Sequence, residues 1–101
     1  MRESKIESTV CNYAKTKGWR VFKFSSPGQR AVPDRIFLRK QVCFYIEFKA
    51  PGKKPTKLQE KIISDIRGEG FDVYVCDDIQ QGKNFIESYE KLSNDNKKGP
   101  V

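Results

Sequence analysis

One short segment constrains the fold of this chain most, because it predicts a β-hairpin with a turn of only a few residues. The segment from Pro33 to Lys49 is PDRIFLRKQVCFYIEFK. Its valine, isoleucine, phenylalanine and tyrosine residues favour a pleated, half-buried surface. We predict a first strand over residues 36–38, a second over 42–48, and a turn at or near residues 39–41.

The register of this hairpin decides which side chains lie next to each other. A two-residue turn at Lys40-Gln41 places Asp34 opposite Glu47, and a four-residue loop over 39–42 gives the same pairing. Lys-Gln lacks the asparagine or glycine that tolerates a positive φ in a two-residue hairpin turn. We therefore expect the longer loop, with Asp34 and Glu47 still aligned.

Three charged side chains are expected to converge where the two strands end. Opposed residues of an antiparallel pair have Cβ atoms about 4.5–5.5 Å apart, and like charges there repel each other. Lys49 lies two residues beyond Glu47 and projects from the same face. A raised pKa, the neighbouring lysine or a divalent cation would offset the repulsion. Asp34, Glu47 and Lys49 thus predict a small Mg²⁺ site with a charged helper.

The amino-acid composition excludes several kinds of chemistry. The chain contains no histidine. This excludes Ser-His and Cys-His nucleophile pairs, histidine-ligated zinc catalysis and nucleases that use a histidine base. The groups that remain for catalysis are carboxylates, lysine, water and a metal ion.

The charge distribution favours a polyanionic partner. The chain has 20 Lys and Arg against 13 Asp and Glu, a net charge of +7. Residues 1–61 contain 15 basic and 5 acidic side chains, whereas residues 62–101 contain 5 and 8. The basic half also contains the predicted acidic site, and this overlap favours nucleic acid over simple solubility as the reason for the charge.

The length and the cysteines indicate one small domain in a reducing compartment. A chain of 101 residues forms a modest core, so pairing with a second copy would add stability. Its three cysteines lie in apolar stretches without a C-x-x-C pattern, which is typical of buried free thiols in a cytoplasm. We expect neither a signal peptide nor a membrane-spanning segment.

The remaining sequence predicts helices on both sides of the hairpin. Hydrophobic spacing predicts helices over residues 4–17 and 79–92, and a middle helix that starts after Thr56 and ends at Gly68 or Gly70. Strands are expected over 19–24 and 71–76. The second helix would connect two parallel strands at the middle of the sheet. We expect a single domain over residues 1–92 and a disordered polar tail over 93–101.

The acidic pair and its surroundings resemble a known nuclease signature. Pro33-Asp34 followed by Glu47-Phe48-Lys49 resembles the PD-(D/E)XK motif. From Glu7 to the strand near Val75, the pattern resembles the VRR-NUC (virus-type replication-repair nuclease) family. The resemblance implies an α/β fold with an αβββαβ core, a mixed central sheet flanked by helices, and an additional C-terminal helix. It also implies a Mg²⁺- or Mn²⁺-dependent endodeoxyribonuclease in which the Phe48 carbonyl is a further metal ligand.

Two polar residues have two interpretations each. Glu7 completes a capping box with Ser4, while the resemblance implies that it faces the metal site. Gln59 completes a capping box with Thr56, while the resemblance implies that it lies beside the site and contacts substrate or water. We include both Glu7 and Gln59 among the candidate catalytic residues, together with Asp34, Glu47 and Lys49.

Two loops are candidate nucleic-acid contacts. Gly28 and Arg30 lie in the loop before Asp34, where an exposed backbone and a cation would let a phosphate approach. Three lysines surround the start of the middle helix and would track the phosphate backbone in a salt-dependent manner: Lys53, Lys54 and Lys57. For both segments, the alternative interpretation is a solvated surface loop.

The predicted function is hydrolysis of phosphodiesters in DNA. The resemblance implies a homodimer that cuts branched DNA such as four-way (Holliday) junctions, with no nucleotide cofactor and no membrane, in the cytoplasm of a bacterial or phage-infected cell. A non-catalytic basic nucleic-acid-binding module is the alternative. A protein-interaction domain with an incidental charge imbalance is the third interpretation. The intact set of Asp34, Glu47 and Lys49 favours the enzyme, since a binding module needs no carboxylates beside phosphates.

Overall fold

Helices and strands follow one another in the order that the sequence predicts. The computed structural model describes the backbone of residues 1–97 and the side chains of residues 1–90. In chain order the elements are α1 (Glu3–Thr16), β1 (Arg20–Lys23), β2 (Arg35–Arg39), β3 (Val42–Phe48), α2 (Lys57–Gly68), β4 (Asp72–Cys76) and α3 (Ile79–Lys97). This is the predicted αβββαβ order with one additional helix, and the α/β fold class is confirmed.

The four strands form one mixed sheet in the order β1-β2-β3-β4. The first three strands are antiparallel neighbours, and β4 pairs parallel to β3. Helix α2 forms the crossover that a parallel pair needs. The predicted parallel pair is therefore present, but its expected position at the middle of the sheet is wrong. Within the described residues no strand pairs with the outer side of β4, so β4 is an edge strand.

Strand β3 contributes side chains to both faces of the sheet, because successive residues of a strand point to opposite faces. Phe44, Ile46 and Phe48 are fully buried against the layer of α1 and α3. The Phe44 ring stacks on Phe37 at a centroid distance of 4.6 Å and on Tyr89 at 4.4 Å. This stack fixes one face of β3 in the core, and the alternate residues Cys43, Tyr45, Glu47 are thereby directed to the other face.

The hairpin has the predicted register but a shorter turn than expected. Arg39 pairs with Val42, so the turn contains only Lys40 and Gln41. Both turn residues have positive φ, 49° and 70° respectively. The expected four-residue loop is wrong: the chain forms a two-residue turn with positive φ at both positions, a geometry that matches the right-handed twist of the two strands. The sheet therefore imposes a left-handed conformation on two residues that do not favour it.

Relief of the backbone strain at Gln41 is predicted to stabilise the fold. Gln41→Gly places a residue that tolerates positive φ at an exposed position, and we expect the free energy of unfolding to rise by about 1 kcal/mol. In a domain of this size, that corresponds to a melting temperature higher by about 4–8 °C. Urea unfolding and thermal melting of purified protein would measure both quantities.

A glutamine elsewhere in the chain provides the matched control. Gln29 is exposed in a loop and is absent from the positive-φ residues. Gln29→Gly is therefore expected to lower stability, because it adds freedom to the unfolded chain and removes the hydrogen bond that Gln29 Nε2 donates to the Arg30 carbonyl. Equal destabilisation by both substitutions would contradict a strained turn at Gln41.

The helix starts confirm one predicted cap and correct another. Thr56 and Gln59 form the complete reciprocal capping box of α2. Helix α1 instead begins one residue before Ser4, with Arg2 at the N-cap and no side-chain cap. The predicted Ser4 box is wrong because Ser4 lies inside the first turn, where its hydroxyl cannot cap.

The C-terminal helix is longer than predicted. Helix α3 runs from Ile79 to Lys97, so the predicted boundary at residue 92 falls inside it. No glycine or proline interrupts the chain from residue 83 to 98, and a helix that has already formed extends at little cost. Residues 98–101 of the predicted tail lie outside the described residues. None of the described helices combines the length and the apolar character needed to cross a membrane.

Candidate active site

Asp34 and Glu47 lie at the end of the β2-β3 ladder, as the predicted register requires. The last paired residues are Arg35 and Ile46, which directly adjoin Asp34 and Glu47 in the chain. The Phe48 N–H donates a hydrogen bond of 2.8 Å to Asp34 Oδ2. The Asp34 carbonyl accepts a hydrogen bond of 2.9 Å from the N–H of Phe24. The main chain thus fixes Asp34 on both sides.

Glu47 is a buried carboxyl with two different oxygens. Its side chain is 3% exposed. Oε2 accepts a hydrogen bond of 2.8 Å from Gln59 Nε2 and lies 3.3 Å from Lys49 Nζ. Oε1 is buried and has no hydrogen-bond partner in the described part of the chain. A buried acceptor without a partner is costly, so this oxygen is free to accept a hydrogen bond from water or to coordinate a cation.

Both carboxyl groups have raised pKa values. Burial, and after it the charge of Asp34, raise the pKa of Glu47 to about 7 against the opposing effect of Lys49. Burial also raises the pKa of Asp34, and the Phe48 N–H opposes that shift. The two acids therefore resist being ionised together unless additional positive charge comes between them.

The donor set fits a small divalent cation. Mg²⁺ and Mn²⁺ prefer oxygen ligands, and Mg²⁺ commonly retains several waters while one or two carboxylates hold it. Asp34 and Glu47 provide two carboxylates, one of which has an unpartnered oxygen. Among the described residues, no group of three or more His, Cys, Asp or Glu side chains could hold a metal ion. A cation here would thus take its other ligands from the main chain and from water.

Gln59 caps α2 and also lies beside the acidic pair, in contact with Glu47. Its Oε1 accepts a hydrogen bond of 2.9 Å from the Thr56 N–H and completes the capping box. Its Nε2 donates to Glu47 Oε2. The cap fixes the rotamer of the side chain, so the helix start orients the amide that holds the carboxylate. The two interpretations are therefore not alternatives in this fold.

Glu7 has a partner that the sequence analysis did not identify. Glu7 Oε2 accepts a hydrogen bond of 2.7 Å from Arg35 Nε, and both side chains are about one-fifth exposed. Arg35 directly follows Asp34 in the chain, and the negative charge of Glu7 contributes to the raised pKa of Asp34. The sequence did contain a signal for this contact. Arg35 lies two residues before buried Phe37 on β2 and therefore projects from the same face, where a charged side chain needs a partner.

The predicted nucleic-acid contacts lie around the acids but do not bond to them. Gly28 and Arg30 are exposed in the loop that ends at Asp34. A Cβ on Gly28 would meet no atom within 4 Å, so packing does not require glycine there. The three lysines at the start of α2 are also exposed, and two of them line a groove with Arg67 and Asp77: Lys53 and Lys54.

Burial of Glu47 is predicted to make stability fall as pH rises. The unfolded carboxyl ionises near pH 4.5, whereas the folded one holds its proton to about pH 7. Between these values the folded state binds more protons, so the free energy of unfolding decreases by about 3 kcal/mol in this window. Glu47→Gln lacks this loss and is expected to be more stable than the wild type at pH 8.

Urea unfolding at several pH values between 4 and 8 in EDTA would measure this effect. Glu60→Gln is the matched control, because Glu60 is exposed on α2. We expect its stability to remain within about 0.5 kcal/mol of the wild type at each pH. Parallel pH profiles for Glu47→Gln and the wild type would contradict the proposed cost of ionising Glu47.

Comparison with known proteins finds similarity both in sequence and in structure. No family model matches the chain. The chain is 37% identical over 78 residues to "Putative nuclease p44" of Acyrthosiphon pisum secondary endosymbiont phage 1, which covers 76% of this chain and 84% of that protein.

The two solved structures are similar over most of their length. A structure titled "VRR_NUC domain" superposes with a TM-score of 0.79 at 26% identity, over 86% of this chain and 96% of that one. A second, titled "VRR_NUC domain protein", superposes with a TM-score of 0.74 at 20% identity, over 91% and 90% of the two chains. The sheet and helices that position Asp34 and Glu47 thus recur in both.

Proposed function

This chain belongs to the VRR-NUC family of nucleases, and from that membership we propose that it is a metal-dependent, structure-selective DNA endonuclease. The observation that supports the metal requirement most directly is the buried Glu47 Oε1 without a partner, next to Asp34. The proposed product is a DNA strand cut at a phosphodiester, and the proposed substrate is branched DNA such as a four-way junction.

Asp34, Glu47 and the Phe48 carbonyl would hold one Mg²⁺ or Mn²⁺. When bound, such a cation acts as a Lewis acid that activates water and polarises the scissile phosphate. The main-chain N–H of Phe48 keeps Asp34 in place for this role. Gln59 holds Glu47 by one oxygen and leaves the other available.

Lys49 and Glu7 are the proposed helpers around the acidic pair. The Lys49 ammonium group, 3.3 Å from Glu47 Oε2, would position the nucleophile or stabilise the negative charge that develops on the phosphate. Glu7, held by Arg35, would orient a water molecule at the site. Arg35 is thus proposed as a positioning residue that acts through Glu7.

The basic surface is proposed to bind the DNA backbone. Gly28 and Arg30 precede Asp34, and the α2 lysines follow Lys49, so exposed segments extend from both ends of the site. Each phosphate contact by a lysine or arginine adds salt dependence to the affinity. The lysines concerned are Lys53, Lys54 and Lys57.

A homodimer is proposed because resolution of a junction needs two cuts. A closed two-fold assembly would place two copies of the site on one substrate. The proposed nuclease domain extends from residue 1 through helix α3, and the site contacts described above lie between Glu7 and Gln59. Three free cysteines suit the proposed location in the cytoplasm of a bacterial or phage-infected cell.

The central prediction is metal-dependent cleavage that requires Asp34. End-labelled four-way junction, flap, duplex and single-stranded DNA would be incubated with Mg²⁺, Mn²⁺ or EDTA. We expect cuts at symmetric positions of the junction, absent in EDTA, and a loss of at least about 100-fold for Asp34→Asn. Asp65→Asn is the control, because Asp65 is exposed on α2 and pairs only with Lys61.

The outcomes of this assay separate the proposals. Cuts in every substrate would preserve the nuclease and contradict selectivity for branched DNA. Binding without cleavage, unchanged by Asp34→Asn, would instead support the non-catalytic binding module. Sedimentation of the protein with and without the junction would test the homodimer, and a single monomeric species in both samples would contradict it.

A second prediction isolates the contact between Gln59 and Glu47. Gln59→Leu removes both the cap and the hydrogen bond to Glu47, whereas Thr56→Ala weakens only the cap. We expect Gln59→Leu to reduce cleavage or metal affinity about 10- to 100-fold, as loss of a partner around a metal ligand does. Thr56→Ala is expected to lower stability by about 1 kcal/mol with much less effect on the rate. Equal loss of cleavage in both variants would indicate that Gln59 acts only through the helix.

A further inference from the structure

A part of the sheet face beside the acids is open to solvent. Helix α2 packs against β4 at one side of this face. On β1, at the other side, Phe22 is 53% exposed, and its neighbour Ile36 on β2 is half-buried. Phe37, on the opposite face of β2, is fully buried. The described residues therefore cover one face of β1 and β2 and leave the other face partly uncovered.

Four side chains form an apolar surface on this open face, here called the aromatic patch: Phe22, Phe24, Ile36 and Tyr45. The sheet register aligns Phe22 with Ile36, and Ile36 with Tyr45, so these three form a row across three strands. The Phe24 and Tyr45 rings are 5.2 Å apart at a tilt of 43°. The patch thus has two half-buried rings at its base and an exposed ring at its edge.

The patch adjoins the proposed catalytic acids on the same face. The Phe24 N–H donates to the Asp34 carbonyl, which extends the β1-β2 pairing by one position. Glu47 lies two residues beyond Tyr45 on β3, at a spacing of about 6.6–6.8 Å along a strand. A molecule that lies on the patch would therefore also reach the acidic pair.

This position and the surrounding charge determine what the occupant can be. A second copy seated on the patch would cover Asp34 and Glu47 and exclude the substrate. Arg20 projects from the same face one row farther along β1, and Arg30 is exposed in the loop that leads from β1 to Asp34. These cations favour a polyanion, and the rings favour the flat face of a nucleobase, so the substrate itself fits best.

We propose that the aromatic patch stacks an unpaired or extruded nucleobase next to the scissile phosphate. This inference rests on the proposed nuclease function and deepens it, because it identifies the feature of branched DNA that the enzyme recognises. Continuous duplex keeps its bases stacked within the helix and cannot present one to Phe22. DNA at a branch point or bulge can do so, which favours cleavage there.

The test uses the fluorescence of 2-aminopurine placed at an unpaired position of a bulged duplex. The full chain in EDTA binds this DNA without cutting it, and stacking on an aromatic ring quenches the fluorescence. We expect Phe22→Ala to abolish most of the quenching and to weaken binding about 5- to 150-fold. Binding of the continuous duplex should stay within about 2-fold of the wild type.

The chain offers a matched control and a rescue. Phe71 is 46% exposed and directly precedes β4, at the opposite edge of the sheet, so Phe71→Ala should leave quenching unchanged. Phe22→Trp should retain quenching, whereas Phe22→Leu should lose it despite keeping apolar bulk. Thermal melting would verify that each variant is folded.

Three outcomes would overturn the proposal. In the first, Phe22→Ala and Phe71→Ala reduce the quenching equally. In the second, Phe22→Ala weakens the binding of duplex and of bulged DNA equally. In the third, Phe22→Ala converts a dimer to a monomer without changing the quenching. Failure of the nuclease proposal looks different. In that case the wild type would cut no substrate with Mg²⁺ or Mn²⁺, while the quenching and its dependence on Phe22 would still support the patch.

Discussion

The fold brings two carboxyl groups, those of Asp34 and Glu47, together at the end of the β2-β3 hairpin, and the free-energy cost of this arrangement is the constraint that the rest of the structure must meet. Burial and the charge of Asp34 raise the pKa of Glu47 to about 7, and an ionised Glu47 therefore opposes folding. Lys49 and Gln59 offset part of this cost at one oxygen only. The remaining oxygen stays buried without a partner, and that deficit is what a divalent cation would relieve. The same feature thus weakens the fold and would favour the binding of a cation.

The core of the protein keeps this unfavourable arrangement in place. Phe44 stacks between Phe37 and Tyr89 on one side of the sheet, so β3 cannot rotate or shift without disrupting the aromatic stack. A shift by one residue would move Glu47 into this core and expose the phenylalanines. The rigid strand therefore supports a site on its opposite face. Helix α2 adds to this support, because its capping box fixes the amide of Gln59 against Glu47.

The open face beside the site connects its chemistry with substrate choice. The acids lie between a helix that holds Glu47 and a patch that extends to Phe22 on the outer strand. In the proposed enzyme, the helix side would orient the reacting groups, and the patch side would be available for substrate. A nuclease with this layout would select DNA by whether a base leaves the helix, and would do so without contacts to a particular sequence. The high positive charge of the first half of the chain would supply affinity for DNA, but no such selectivity.

The sequence by itself determined the order of the elements, the register of the hairpin and the residues of the acidic pair. These depend on local rules, because side chains alternate along a strand and a turn with an even number of residues keeps Asp34 opposite Glu47. The Thr56 cap is equally local. Only the tertiary structure decided the two-residue turn, where the sheet twist overrides the preference of Gln41, and the partnership of Glu7 with Arg35. It also decided that β4 is an edge strand and that Phe22 stays exposed, because both depend on which distant element packs against each face.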